Sequence, residues 1–119
     1  MQQIGRKDVT RLTNFLEDLE ARRPKQSYEI DLSSLGNLLN RIGFDGPHNK
    51  RGAARGFSHE LLTADPMLTG GQITVHALHG KKNEVITYRD FKKYLQPFIE
   101  QVLKDLEDKG LITEENPNV

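Results

Sequence analysis

The chain of 119 residues lacks cysteine altogether, and it also lacks any long apolar run. Without cysteine, disulfides and thiolate metal sites are excluded, and the composition fits a reducing compartment. Since no apolar run approaches the length of about 18 residues that a membrane span needs, we expect no membrane contact. The first residues also lack the apolar stretch of a signal peptide, so we expect a cytoplasmic protein.

The formal net charge is zero, because 17 Lys and Arg residues balance 17 Asp and Glu residues. A total of zero argues against a generic nucleic-acid-binding protein, which is usually basic. The distribution is uneven, however. Residues 48–93 carry eight basic and four acidic side chains, whereas residues 100–119 carry two basic and six acidic ones. A basic middle and an acidic end predict separate charged faces on one fold.

Apolar residues recur at helical spacing in three segments, residues 9–19, 31–42 and 87–110. Pro24 ends the first of these helices. Pro97 lies inside the third and removes one backbone donor, which predicts a kink or a restart of the helix.

Strand signals are fewer. Ile73–Leu78 alternates apolar and polar residues and is the clearest strand, and Phe57–Leu62 is a short candidate. Residues 45–56 contain glycine and proline without periodicity, which predicts a loop or a frayed strand followed by a loop. These elements predict an α+β fold with a small antiparallel sheet and a long C-terminal helix packed on one face.

The predicted organisation has three parts. Residues 1–30 form an N-terminal helical extension, residues 31–112 form the α+β domain, and residues 113–119 form a flexible tail.

The basic, glycine-punctuated segment 50–60 is the most informative stretch. Lys50, Arg51 and Arg55 can neutralise phosphate, and the glycines allow close backbone approach. Histidine suits proton transfer near neutral pH, so His59 is the candidate general acid or base for cutting RNA without a metal. The alternative is that His59 only hydrogen-bonds within the sheet, since strict alternation places it on the same face as Phe57, a predicted core residue.

Further RNA contacts are predicted around this segment. Ser58 precedes the histidine, and His76 lies on the polar side of its strand. Lys81 and Lys82 lie near the start of the last helix, where backbone amides also favour phosphate. His76 and His79 have the spacing of two metal ligands but no recognisable third, so we expect no metal and no cofactor.

The order of elements and motifs resembles the HicA family of toxins from bacterial toxin–antitoxin pairs. The similarity covers residues 32–106, and its motifs are Gly43-Phe44, Gly56-Phe57-Ser58-His59, Ile73-Thr74-Val75 and Gly80-Lys81. The resemblance implies a fold like a double-stranded-RNA-binding domain, with helices on one face of a three-stranded antiparallel sheet. It also implies that His59 is the catalytic residue of an mRNA-cleaving ribonuclease and that a protein antitoxin is the partner.

The leading interpretation is therefore a metal-independent mRNA endoribonuclease, with His59 as its general acid or base. The alternative interpretation is a non-catalytic RNA-binding or protein-interaction module on the same fold, since fold alone does not separate these functions.

Overall fold

The computed structural model describes residues 1–80 and 82–114. In chain order the elements are β1 (Ile4–Gly5), α1 (Arg6–Arg22), β2 (Glu29–Asp31), α2 (Leu32–Asn40), β3 (Asp45–Asn49), β4 (Ala54–Ser58), 3₁₀ turns at Glu60–Leu62 and Thr69–Gly71, β5 (Gln72–His76), β6 (Leu78–His79), β7 (Glu84–Thr87), α3 (Tyr88–Asp90), a π-helical segment (Phe91–Leu95), α4 (Gln96–Asp108) and β8 (Ile112–Thr113).

The central sheet is antiparallel and has the strand order β3-β4-β5. Phe57 of β4 lies opposite Ile73 of β5, and both side chains are buried. They share one apolar core with Leu39 of α2 and Leu95 of the C-terminal helix, so the helices cover this inner face. The predicted α+β class with a three-stranded antiparallel sheet is confirmed.

Strand β3 has few strand-forming residues, which is why the sequence predicted a loop or a frayed strand there. It pairs with β4 in two parts, because the register shifts between Asp45 and His48. Pro47 lies within this irregular stretch and has no N–H to donate. An edge strand tolerates that loss, since one of its sides is not paired.

The prediction of a strand over Phe57–Leu62 is wrong for the second half of that segment. Strand β4 ends at Ser58, and Glu60–Leu62 forms a 3₁₀ turn instead. The side chain of His59 causes the change, because its Nδ1 accepts the backbone N–H of Leu61 at 3.1 Å and caps the turn.

Two smaller sheets complete the fold. One is antiparallel with the order β2-β7-β6, and the other is a parallel pair of β1 and β8 that joins Ile4 to Ile112. Helix α1 contributes the buried Leu12 and Leu19 to the same core. The predicted N-terminal extension, residues 1–30, is thus packed onto the rest of the described chain at both of its ends.

The helices α2 and α4 begin at residues that suit a helix N-terminus. The side chain of Asp31 accepts the N–H of Ser34 at 2.8 Å and caps α2. The C-terminal helix passes through its π segment and restarts as α4 with Pro97 in the first turn, where a missing N–H costs nothing. The predicted restart at Pro97 is confirmed. Among the described residues, no helix combines the length and the apolar character needed to cross a membrane.

Candidate functional site

The outer face of the β3-β4-β5 sheet is open and polar. Strand alternation and the pairing register place the following residues on it: His48, Ser58, Gln72, Thr74 and His76. All of them are exposed except the half-buried Ser58. The two faces of this sheet therefore differ in character, since the inner face holds the apolar core.

Lys50 lies across the middle of the open face. Its Nζ donates to the hydroxyl of Thr74 at 3.1 Å, two strands away. The side chain reaches there by passing over Gly56, since a Cβ on that glycine would lie 2.6 Å from Cε of Lys50. The glycine of the motif therefore leaves room for an exposed ammonium at the centre of the face.

Three of the other predicted RNA contacts belong to the same surface. His76 lies opposite Ala54 in the sheet. The backbone N–H of Lys50 donates to the carbonyl of the same Ala54, so both residues adjoin it. Arg51 is exposed in the hairpin loop that begins beside Lys50, and Ser58 lies two residues beyond Gly56 on the same face. The structure thus places Lys50, Ser58 and His76 on one face of the sheet, with Arg51 in the adjoining loop.

His59 lies on the opposite side, among core residues, with 3% of its surface exposed. Its Nε2 lies 2.9 Å from the carbonyl oxygen of Ile42, and its Nδ1 accepts from Leu61. Because Nδ1 accepts, the ring proton belongs on Nε2, which donates to Ile42. The ring also packs edge-on against Phe44, with 4.8 Å between the ring centroids.

This environment favours neutral imidazole. Burial lowers the pKa of His59 below 6.5, and the bond to Ile42 and the nearby carboxylates of Glu60 and Asp105 only partly oppose that effect. Both ring nitrogens are occupied by backbone partners, so the geometry assigns His59 a structural part. Its catalytic role stays a prediction.

Arg55 does not share the open face with Lys50. It lies opposite Val75, on the inner side of the sheet, and its guanidinium forms two bonds to the carboxylate of Glu84 on β7. Its Nη1 also donates to the carbonyls of Gly52 and Ala54, each at 2.9 Å. The pairing lowers the pKa of Glu84 and joins the two antiparallel sheets. Its donors are therefore directed at protein acceptors.

Lys82 is exposed in the turn that joins β6 to β7, in the second sheet. The backbone N–H of Gly80 closes that turn by donating to Asn83 at 2.9 Å. Lys81, also predicted to contact RNA, lies outside the described residues.

His48 lies in a segment whose sequence predicted a loop or a frayed strand. It is exposed on β3, and its Nε2 lies 2.9 Å from a carboxylate oxygen of Asp45. Only its pairing with Gly56 shows that it belongs to the open face, and no pattern in residues 45–49 predicts that pairing.

Within the described residues, no group of three or more His, Cys, Asp or Glu side chains is arranged to hold a metal ion. In comparisons with known proteins, no family model, curated protein or solved structure matches the chain.

Proposed function

We propose that the chain binds RNA through the open face of the β3-β4-β5 sheet, and that Lys50 is the central phosphate contact. The observation that carries the proposal is the position of Lys50, whose ammonium is held over Gly56 by a hydroxyl. A cation that bonds to a hydroxyl keeps its full charge for a phosphate, whereas Arg55 is neutralised by Glu84.

The order of elements supports an RNA-directed fold. Helix α2, the three strands β3, β4 and β5, and the C-terminal helix occur in the order expected from the resemblance to the HicA family, with β6 and β7 inserted before that helix. A double-stranded-RNA-binding-domain-like fold is thus part of the proposal. The fold does not by itself decide whether the bound RNA is paired or unpaired. A protein partner that acts as an antitoxin would cover the same face.

Cleavage of mRNA by His59 is the second candidate, and the motif Gly56-Phe57-Ser58-His59 is what favours it. For that activity the imidazole would have to leave the carbonyl of Ile42 and expose a nitrogen to the RNA. Binding needs no such rearrangement, so binding is the function we place first.

The binding test is fluorescence anisotropy of labelled RNA, titrated with protein over a series of salt concentrations. We expect affinity to fall steeply with salt for the wild type, and Lys50→Ala to reduce the slope of log K against log salt by about 1. Lys104→Ala, which removes an exposed lysine on α4, is the matched control. Absence of salt-dependent binding, or an equal effect of the control variant, would overturn the proposal.

A separate assay with wild type and a His59 variant decides the question of cleavage. RNA incubated in excess chelator with wild type and with folded His59→Gln should stay intact if the domain only binds. Cleavage by the wild type alone would establish the ribonuclease, with His59 at its centre.

A further inference from the structure

A cleft of about 440 Å³ opens beside the edge strand β5, between that strand and the start of the C-terminal helix. The residues that line it are Thr74, Val75, His76, Arg89, Asp90 and Tyr94. Thr74 is also the residue that accepts from Lys50, so the cleft continues directly from the open face. A strand of RNA whose phosphate contacts Lys50 can therefore place its next group in the cleft.

Tyr94 gives the cleft an aromatic wall. It is one of few large apolar side chains exposed in the described residues, at 44% of its surface, and it lies in the π-helical segment. The Nζ of Lys93 lies 5.2 Å from the centroid of its ring. Aromatic side chains in basic surroundings bind single-stranded nucleic acid by stacking on unpaired bases.

Asp90 decides which part of a nucleotide suits the cleft. Its side chain is 22% exposed, and the nearest cation among the described residues, Nε of Arg89, is 3.6 Å from Oδ1, too far for a hydrogen bond. A carboxylate repels phosphate but accepts N–H groups. Among RNA bases, guanine offers two adjacent N–H donors on its Watson–Crick edge, whereas uracil offers one between two carbonyls.

We propose that this cleft is a subsite for an unpaired guanine, which stacks on Tyr94 and donates from N1 and N2 to Asp90. Arg89 and His76, at the same rim, face the flanking phosphates. The inference rests on the proposed RNA binding and deepens it, because it selects single-stranded over fully paired RNA. Bases inside a duplex stay stacked on their neighbours and cannot enter.

The test uses three labelled ten-nucleotide strands of uridine that differ at one central position, which is uridine, guanosine or inosine. Inosine keeps N1–H but lacks the N2 amino group. We expect the guanosine strand to bind about tenfold or more tightly than the uridine strand, with inosine between them. A duplex of the guanosine strand with its complement should lose that advantage.

Substitutions at Tyr94 and Asp90 test which side chain makes each contact to the guanine. Tyr94→Ala should weaken binding of the guanosine strand about 5- to 100-fold, whereas Tyr94→Phe should retain it. Asp90→Asn should abolish the difference between guanosine and inosine. Tyr28→Ala is the matched control, since Tyr28 is 40% exposed and does not line the cleft.

The outcomes separate this inference from the proposed function. Equal binding of all three strands, or equal effects of Tyr94→Ala and Tyr28→Ala, overturns the guanine subsite. If Lys50→Ala still weakens binding in that case, the RNA-binding surface stands. If the wild type binds neither the single strands nor the duplex, both proposals fail, whereas binding of the duplex alone overturns only the guanine subsite.

Discussion

His59 and Ile42 are joined by a hydrogen bond of 2.9 Å that ties the residue after β4 to the turn after α2. A second bond, from the N–H of Leu61, fixes the other side of the same ring. Gly43, at φ +99°, brings the backbone so close that an added Cβ would lie 2.9 Å from Nε2 of His59. The two motifs of the HicA resemblance, around Gly43 and His59, are thus in direct contact.

The first prediction is that His59→Ala destabilises the fold. The substitution leaves the carbonyl of Ile42 and the N–H of Leu61 without their partners and opens a cavity beside Phe44. We expect a loss of about 2–4 kcal/mol in the free energy of unfolding, measured by urea denaturation. His76→Ala, at an exposed site, should change it by less than about 0.5 kcal/mol. A loss equally small for His59→Ala would contradict the structural role.

The second prediction concerns pH. Burial lowers the folded-state pKa of His59 below the ordinary value of 6.5, so the unfolded chain takes up this proton first as pH falls. Stability should be at its maximum above about pH 6.5 and should fall, by at most about 1.4 kcal/mol per pH unit, until the folded-state pKa is reached.

Urea denaturation of wild type and His59→Gln between pH 8 and pH 5 measures this effect. The variant should lack that slope. Carboxylates affect the free energy of unfolding at lower pH, because the pKa of Asp31 and that of Glu84 are held below their ordinary values of 3.8 and 4.5. Their contribution is present above those ordinary values and is lost as pH falls further, so it lies below the pH range of this experiment. Identical slopes for the two proteins would show that another group is responsible.

The third prediction separates Arg51, in the hairpin loop, from Arg55, on strand β4. Arg55→Ala should lower the urea midpoint, since it breaks the junction with Glu84, but should change RNA affinity less than about twofold. Arg51→Ala should behave in the opposite way, because its side chain is exposed beside Lys50. A double-mutant cycle of Arg55→Ala with Glu84→Gln measures the coupling directly. Weaker RNA binding by folded Arg55→Ala would instead favour the phosphate role that the sequence predicted.

The sequence predicted those elements whose side chains repeat with a clear period. The helices around Leu12, Leu39 and Ile99 and the strand around Val75 all follow from apolar spacing, and the structure confirms them. Strand β3 did not follow from the sequence, because its pairing depends on the neighbouring strand rather than on its own residues.

The candidate site was predictable only in part, for the same reason. Alternation placed Phe57 and His59 on one face, and both are buried. No local pattern shows that Arg55 faces Glu84, 29 residues later, or that Lys50 reaches Thr74. Such contacts arise from the packing of strands that are distant in the sequence.

The last prediction compares Gly46 on β3 with Gly56 on β4. A Cβ on Gly56 would press on the flexible end of Lys50, with Gln72 at ordinary contact distance, whereas a Cβ on Gly46 would overlap the carbonyl oxygen of Gly56. Gly46 also has φ +121°, which other residues rarely adopt. We therefore expect Gly46→Ala to cost about 2–4 kcal/mol in the free energy of unfolding and Gly56→Ala less than about 1 kcal/mol.

The Gly56→Ala variant also tests how Lys50 is held. Because Gly56→Ala pushes the lysine away from Thr74 without unfolding the sheet, it should lower RNA affinity and reduce the salt slope by up to about 1, as Lys50→Ala does. Combining Gly56→Ala with Lys50→Ala should then weaken RNA binding no further than Lys50→Ala alone, since both substitutions remove the same contact. Full RNA affinity in stable Gly56→Ala would show that the path of Lys50 across the face is not what binds phosphate, and the contact would have to be sought in the loop at Arg51.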